Sequence, residues 1–521
     1  MRTFRPVSIY GSPTGAGRVV LSILCLFSLI LCGCHKKQAA SDTTVSQTKI
    51  ANLRKDARAG DVAAMTELGC LYEKGWGIAK DYGRALRWFR QAAAGGNPTA
   101  MDRLGLAYIE GRGVKKDYIR AISWFRKAAA AGSTRGTYDV GWVYAHGHGV
   151  PQDYSRAITW YRRAAAMGSM RAMDSIGFFY AHGHGVPQDY HEAMAWYRKA
   201  AARGYAPAMD SIGFFYAHGH GVSQNYREAM KWFHKAATRR YAPAMTSIGF
   251  LFENGHGVPQ DYHEAMAWYR KAAARGYAPA MDGIGILHDY GRGVPQNHHS
   301  AMAWYRKAAA MGYTPAMDNI AALYASGNGV PKDFHAAAEW WRKAAAKGDA
   351  HAMACIGTLY NSGHHGLPRN YAKAMSWYRR AAAGGDAGGM GLIGFQYLRG
   401  LGVAQSSSRA MIWFRKAAVK GDPFAMDGIG LCYQHGRGVP QDYAKAMAWY
   451  RKAAARRDGL AMYKIGILYE RGEGVPKNMA KAKAWYERAQ KAVINDSRLI
   501  RLVKKELEKF KGIVPVPATQ Q

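Results

Sequence analysis

Acidic side chains are scarce in this chain. Its 521 residues include 36 Asp and Glu against 72 Lys and Arg, which gives a formal net charge of +36 at pH 7. A surplus of this size predicts attraction to anionic surfaces such as acidic polysaccharide, lipid headgroups, nucleic acid or acidic proteins, and leaves the fold open. Hydrophobic residues make up 49% of the sequence, which argues against disorder.

Cysteine is too sparse to build a disulfide framework. Beyond residue 34 the chain contains only Cys70, Cys355 and Cys432, which fall in three different copies of the repeat described below. Two copies of separation correspond to roughly 20 Å of stacked helices, well beyond the ~7 Å between Cα atoms that a disulfide tolerates. We therefore predict buried free thiols and a protein held together by its apolar core.

The apolar run near the N-terminus is too short for an ordinary membrane span. It covers residues 19–33, whereas a spanning helix needs about 20 residues. Arg2, Arg5 and Arg18 precede it, and the segment contains no acidic residue. Basic residues followed by a short apolar stretch are typical of an export signal.

The end of this run, residues 31–34 (Leu-Cys-Gly-Cys), resembles a bacterial lipobox. The resemblance implies that residues 1–33 are a lipoprotein-type signal peptide, that Cys34 carries the lipid, and that residues 34–49 form a polar linker. His35, instead of aspartate, after the cysteine resembles lipoproteins sorted to the outer membrane. An ordinary cleaved signal, or an uncleaved anchor with an incidental cysteine, is the alternative, and every alternative exports the chain. Cleavage would leave 69 Lys and Arg against 36 Asp and Glu, so the surplus of positive charge belongs to the chain that remains after the signal segment is removed.

One segment of 36 residues recurs twelve times between residues 50 and 489. Each copy has an anchor glycine, a Gly-x-Gly pair, a polar Asp, Asn or Ser, and then an Ala and a Trp four and seven residues after that polar residue. The apolar spacing predicts two helices per copy, with the polar residue as N-cap of the second. We expect the Trp to fill the space between neighbouring helices. The anchor positions are Gly69, Gly105, Gly141, Gly177, Gly213, Gly249, Gly285, Ala321, Gly357, Gly394, Gly430 and Gly466.

A repeat of this length predicts an all-α solenoid in which each antiparallel helix pair stacks only on its neighbours. The first copy is preceded by a stretch, Ile50 to Gly60, that has the pattern of an isolated second helix and would cap the stack. Residues 490–521 are predicted to form a C-terminal capping helix and a tail.

The pattern resembles the SEL-one-like repeat (SLR) family, relatives of the tetratricopeptide repeats. In the first copy the resemblance rests on Gly69, Tyr72, Asp81, Ala85 and Trp88, and it returns in each later copy. It implies a right-handed superhelix that serves as an adaptor or scaffold in protein complexes, in bacteria often exported. Some cysteine-rich relatives are labelled β-lactamases, but this chain lacks their paired cysteines.

Nine copies carry two cations directly after the Trp and its aromatic neighbour. One interpretation is that they stabilise the carbonyl ends of the second helices, by ~0.3–1 kcal/mol each. The other is that they bind an anionic polymer or membrane through many weak contacts. Ten of them are candidate binding residues, which we call the basic ladder: Arg126, Lys127, Arg162, Arg163, Arg198, Lys199, Arg270, Lys271, Arg306 and Lys307.

Two further sets of polar residues recur at repeat spacing. Loop histidines form the pairs His146/His148, His182/His184 and His218/His220, which either face solvent or offer imidazoles to zinc or copper. Aspartates on the first helices are expected to pair with cations of the adjacent repeat, or else to form a peptide-binding strip: Asp102, Asp174, Asp210, Asp282, Asp318 and Asp427. We predict no catalytic residue, cofactor or metal site.

The sequence therefore predicts a non-enzymatic scaffold that is exported, lipid-anchored in the cell envelope, and bound to protein partners there. A polyanion-binding module and a secreted effector that grips a host protein are the alternatives within binding; nucleic acid is not expected as partner. A cell-wall or β-lactam hydrolase is the enzymatic alternative. It is disfavoured because residues 183–210 and 255–282 are identical, whereas a catalytic site needs residues that differ from their surroundings.

Overall fold

The computed structural model describes residues 45–363, 368–492 and 497–510, which form 26 α-helices and no strand. None of these helices combines the length and the apolar character needed to cross a membrane. The predicted signal segment and Cys34 lie outside the described residues. The described helices divide into two compact units, and the boundary in the sequence lies between residues 277 and 278.

The first unit contains thirteen helices, α1 to α13. Their bounds are Gln47–Arg58, Val62–Lys74, Tyr82–Ala94, Pro98–Glu110, Tyr118–Ala130, Thr134–His146, Tyr154–Ala166, Met170–His182, Tyr190–Ala202, Ala206–His218, Tyr226–Thr238, Ala242–Asn254 and Tyr262–Ala273. Each helix from α2 onward packs on the helix before it, so the unit is a stack of helix pairs.

The second unit contains α14 to α26 and repeats the same arrangement. Their bounds are Ala278–Tyr290, His298–Ala310, Thr314–Ser326, Phe334–Ala346, Ala350–Ser362, Tyr371–Ala383, Ala387–Arg399, Ser407–Val419, Pro423–Gln434, Tyr443–Ala455, Gly459–Arg471, Met479–Ala492 and Ser497–Glu508. The predicted all-α solenoid of twelve helix pairs is confirmed. We call the two helices of a repeat helix A and helix B.

Helix B begins where the sequence predicts, because its N-cap side chain accepts a hydrogen bond from a backbone amide of the first turn. Asp81, for example, accepts from the Arg84 amide at 2.9 Å, and Ser406 accepts from the Arg409 amide at 3.3 Å. Helix A commonly ends at the first glycine of the Gly-x-Gly pair in the left-handed region, as at Gly183 with φ 69°. The second glycine, Gly185, lies where a Cβ would meet the Tyr154 backbone of the preceding repeat at 2.6 Å.

The anchor glycine makes room for an aromatic ring of its own repeat. A Cβ at Gly177 would lie 2.7 Å from the Tyr197 ring, and one at Gly69 would lie 2.5 Å from the Phe89 ring. This ring belongs to the residue after the conserved Trp, and in every repeat it is buried, whereas the Trp is half-buried. The expectation that the Trp fills the space between helices is therefore wrong in its details, because its neighbour occupies that space.

The two ends of the described chain are closed by extra helices. Helix α1 begins at Gln47, three residues before the predicted cap, and buries Ile50 against the first repeat. At the other end, residues 490–521 are predicted to begin with a capping helix. The structure gives them the last residues of α25 and then α26, with residues 493–496 outside the described residues. Leu499 and Val503 of α26 are buried against the last repeat. The tail from residue 511 onward lies outside the described residues.

Candidate functional site: the basic ladder and its surroundings

All ten residues of the basic ladder are exposed on helices B. Eight of them belong to the first unit, and Arg306 and Lys307 belong to the second. In each repeat the two cations play different structural parts because they occupy successive helix positions, about 100° apart around the helix axis.

The second cation of each pair stacks on the conserved Trp. The two side chains lie three residues apart, which places them on one face of helix B. The Lys199 ammonium is 4.1 Å from the centroid of the Trp196 ring, and Lys271 is 3.9 Å from that of Trp268. Eleven repeats have this cation–π pair, and its distance ranges from 3.9 to 4.9 Å in the pairs at Trp124, Trp160, Trp196, Trp232, Trp268, Trp304, Trp340, Trp377, Trp413, Trp449 and Trp485.

The first cation of several pairs links one repeat to the next. Arg162 donates to the Tyr180 hydroxyl at 2.8 Å, and Arg198 donates to the Tyr216 hydroxyl at 3.3 Å. Each tyrosine lies on helix A of the following repeat, 18 residues further along the chain. These tyrosines have no predicted role above, although the recurrence of Arg and Tyr at a spacing of 18 is the signal that identifies them.

None of the ten cations of the basic ladder takes part in an ion pair with a carboxylate of the described residues. Other exposed arginines do: Arg84, Arg120 and Arg156 each lie 3.2–3.3 Å from the aspartate that caps their own helix. The basic ladder therefore keeps its positive charge and presents it to solvent beside half-buried tryptophans.

A family model for the Sel1 repeat matches twelve segments of the chain: residues 62–97, 98–133, 134–169, 171–205, 206–241, 242–277, 278–313, 314–349, 350–386, 389–422, 423–458 and 459–489. The chain belongs to the Sel1 repeat family. Proteins of this family generally mediate protein–protein interactions, and the resemblance drawn from the sequence is confirmed.

Two solved structures illustrate the likeness. A protective antigen of uropathogenic Escherichia coli strains, which displays an SLR fold, is 29% identical, with 91% of this chain and 99% of that chain covered and a TM-score of 0.44. A Sel1 repeat protein from Oxalobacter formigenes is 35% identical, with 47% of this chain and 99% of that chain covered and a TM-score of 0.44. No protein with a curated description matches significantly.

The loop histidines of the Sel1 repeats are packing residues. The second of each pair stacks on the first tyrosine of the preceding helix B, as His148 does on Tyr118 with 4.7 Å between ring centroids. The first pairs through Nδ1 with a backbone carbonyl one turn earlier, as His146 does with Trp142 at 2.8 Å. Burial lowers the pKa of both His146 and His148.

The aspartates of helices A lie between successive repeats. Asp427 pairs with Lys464 of the next repeat at 2.8 Å, as the sequence predicts. The same prediction is wrong for Asp102, Asp174 and Asp210, which form no ion pair with the described residues. Asp102 accepts from the Ser133 hydroxyl at 2.6 Å instead. With only 5% of Asp102 and 8% of Asp174 exposed, these carboxylates do not present a strip to a peptide.

The chain contains one Ser-x-x-Lys sequence, residues 46–49, a spacing that β-lactamases use for a nucleophile. Here the Ser46 hydroxyl caps α1 by accepting from the Lys49 amide at 3.2 Å. The Lys49 ammonium forms an ion pair with Glu67 at 2.8 Å, so both Ser46 and Lys49 have structural contacts. This sequence is therefore a helix N-cap.

Proposed function

We propose that this Sel1 repeat protein is an exported, non-enzymatic scaffold that binds acidic surfaces of partner proteins in the bacterial envelope through the basic ladder. The observation that carries the proposal is the exposure of the ten cations without a neutralising carboxylate. If they served only to stabilise helix ends and stack on Trp, neighbouring acids would be tolerated, as they are at Arg84, Arg120 and Arg156.

Repetition gives the basic ladder its binding strength. One exposed cation contributes little to association because solvent and salt screen it. Several cations that engage one partner at once raise the affinity without any single strong contact. The tryptophan beneath the second cation fixes the position of the ammonium, which reduces the side-chain entropy lost when a partner binds.

The proposal is tested by removing charge from two matched sets of three cations, each set taken from three successive repeats. The test variant combines Lys127→Gln, Arg163→Gln and Lys199→Gln. The control variant combines Arg84→Gln, Arg120→Gln and Arg156→Gln, which removes the same charge from cations that have acidic partners.

Cross-linking in intact cells, followed by affinity purification from the envelope, measures the proteins retained by each variant. We expect the test variant to lose the partners that the parent chain retains and the control to keep them. Equal recovery by both variants, or equal loss, would show that the basic ladder is not the binding surface.

Lipid anchoring in the envelope is the second part of the proposal, and it is supported by the lipobox resemblance at residues 31–34. Cells grown with labelled palmitate are expected to incorporate the label into this protein. Cys34→Ala should abolish incorporation, while Cys70→Ala should not. If the label persists in Cys34→Ala, the lipid anchor at Cys34 is overturned. The scaffold function is then still tested separately by the cross-linking experiment.

Binding of an anionic polymer is a second candidate function, and one region of the first unit favours it. A shallow depression formed by α11, α12 and α13 is lined by His234, Arg240, Trp268, Lys271 and Arg275 together with smaller residues. Cationic and aromatic side chains around one concavity suit an acidic sugar or a phosphorylated headgroup. Salt-sensitive retention on heparin that disappears in Lys271→Gln/Arg275→Gln, with the protein partners retained, would favour this function.

A further inference from the structure

The ninth repeat differs from all others at two positions of helix A. His351 and Cys355 lie four residues apart on α18 and thus on one face of that helix. At the position of His351 the other eleven repeats have Ala, Thr, Arg, Pro, Gly, Phe or Leu. At the position of Cys355 they have Glu, Arg, Asp, Ser, Gly, Asn, Leu or Lys. Repeat packing therefore does not require either residue type.

Asp318 of the preceding helix A, α16, faces these two side chains. Its Oδ2 lies 3.6 Å from Nε2 of His351, and the same nitrogen lies 3.6 Å from Sγ of Cys355. The three groups each offer a ligand atom, and these atoms all lie within 4.8 Å of one another. A tetrahedral zinc ion holds nitrogen at about 2.0–2.1 Å and sulfur at about 2.3 Å, which places two such ligand atoms about 3.6 Å apart.

Two further side chains hold the potential ligands in place. Nε1 of Trp341 donates to Oδ1 of Asp318 at 2.7 Å, which leaves Oδ2 directed at the cluster. Trp341 is itself an exception, because the other eleven repeats have Tyr or Phe at this position. On the far side of the imidazole, Oδ2 of Asp386 lies 3.8 Å from Nδ1 of His351. Histidines that bind metal commonly present their second nitrogen to a carboxylate in this way.

We propose that Asp318, His351 and Cys355 form a site for a divalent transition metal of the zinc class. Thiolate, imidazole and carboxylate together suit zinc better than the oxygen-only sites of magnesium or calcium. Three protein ligands leave the fourth tetrahedral position to water or to a group of a partner. Cys355 is buried, but 30% of the His351 side chain is exposed, so an ion has a route into the cluster.

The bound metal would join two consecutive repeats. Asp318 belongs to the eighth repeat and His351 and Cys355 belong to the ninth, so an ion shared by the three ties α16 to α18. This role requires no catalysis and is independent of the basic ladder.

Cobalt(II) is the probe, because a cobalt–thiolate bond gives an intense charge-transfer absorption that carboxylate and imidazole do not give. The full chain is used with Cys25, Cys32 and Cys34 replaced by serine, so that no thiol near the N-terminus contributes. After chelator treatment and dialysis, we expect one equivalent of Co²⁺ to produce the band and one equivalent of Zn²⁺ to remove it. Cys355→Ser should abolish the band, and Cys432→Ser, a buried free thiol of the same unit, should leave it unchanged.

The variant Asp386→Asn distinguishes a metal site from a cluster of polar side chains that binds no metal. If Asp386 orients His351, its replacement should weaken Co²⁺ affinity about 10- to 100-fold and keep the thiolate band. Absence of the band in the chain with the three serine replacements would overturn the proposal. Persistence of the band in Cys355→Ser would also overturn it, because the ion would then lie elsewhere.

A measurement on the chain without substitutions tests the site without relying on variants that could misfold. Zn²⁺ should slow alkylation of Cys355, measured by mass spectrometry, and leave the rate at Cys70 unchanged. Equal rates at Cys355 with and without zinc would also overturn the site.

Discussion

We predict that two carboxylates, the buried Asp174 and the half-buried Asp210, make the stability of the first unit depend on pH. Asp174 of α8 and Asp210 of α10 occupy the same position in consecutive repeats, and Oδ1 of each has no hydrogen-bond partner among the described residues. Burial raises the pKa of Asp174 to about 7, and burial followed by the charge of Asp174 raises the pKa of Asp210 to about 7. We predict that Asp174→Asn stabilises the protein, and more so at alkaline pH.

The sign follows from proton binding. With a pKa of 3.8 in the unfolded chain and about 7 in the folded chain, Asp174 holds a proton only in the folded state across the window between these values. Stability therefore falls as pH rises through that window and stays low above it. A shift of this size corresponds to about 4 kcal/mol at pH 8, of which about 3 kcal/mol develops between pH 5 and pH 8.

Urea unfolding at pH 5 and pH 8 provides the assay, with hydrogen exchange of the α8 and α10 amides as a local measure because stacked repeats can unfold separately. The gain of Asp174→Asn over the parent chain should be larger at pH 8 by about 3 kcal/mol. Asp189→Asn is the control, since Asn225 caps the equivalent helix of the next repeat in the same way. A gain that is the same at both pH values, or a loss at pH 8, would refute the assignment of a buried, protonated carboxylate.

Three substitutions test the packing of the repeats. Gly177→Ala should destabilise the protein by about 1–3 kcal/mol, because the added methyl would lie 2.7 Å from the Tyr197 ring; an unchanged thermal midpoint would contradict this. Lys235→Gln removes a cation 4.1 Å from the Trp232 ring and should lower the free energy of unfolding by about 0.5–1 kcal/mol in a urea titration, an effect that must be absent if the contact is incidental. Arg240→Gly should raise stability by about 1 kcal/mol, since Arg240 has φ 61° where nine other repeats have glycine; a lower thermal midpoint would argue against strain at this residue.

Local features of the repeat could be predicted from the sequence because they depend on neighbouring residues alone. An Asp, Asn or Ser before a helix satisfies an amide two or three residues away, and a glycine after a helix adopts the left-handed region at little cost. The first rule holds at Asp81 and the second at Gly204, whereas Gly95 and Gly384 directly follow a helix with φ −79° and −76°. The number of helices and their order followed from the period.

Two adjacent aromatic residues were harder to assign. Trp196 and Tyr197 differ by about 100° around the helix axis, and composition alone does not say which of them faces the anchor glycine. The structure places Tyr197 against Gly177 and leaves Trp196 half-buried beneath Lys199. For Asp102, Asp174 and Asp210 the expected ion pairs failed for a related reason. The residue that faces each aspartate lies on the next repeat, at a position where the repeats vary.

Constancy along the twelve repeats therefore separates two kinds of evidence for function. Two cations follow the Trp and its aromatic neighbour in nine of the twelve repeats, but their Trp and Tyr contacts already supply a structural reason for this recurrence, so repetition by itself does not establish binding. What those contacts leave unexplained is the absence of neutralising acids, and charge removal at matched positions tests that point alone. The cluster of Asp318, His351 and Cys355 is the opposite case. Packing requires neither His351 nor Cys355, as eleven other repeats demonstrate, so the meeting of three metal-binding groups there needs a chemical explanation.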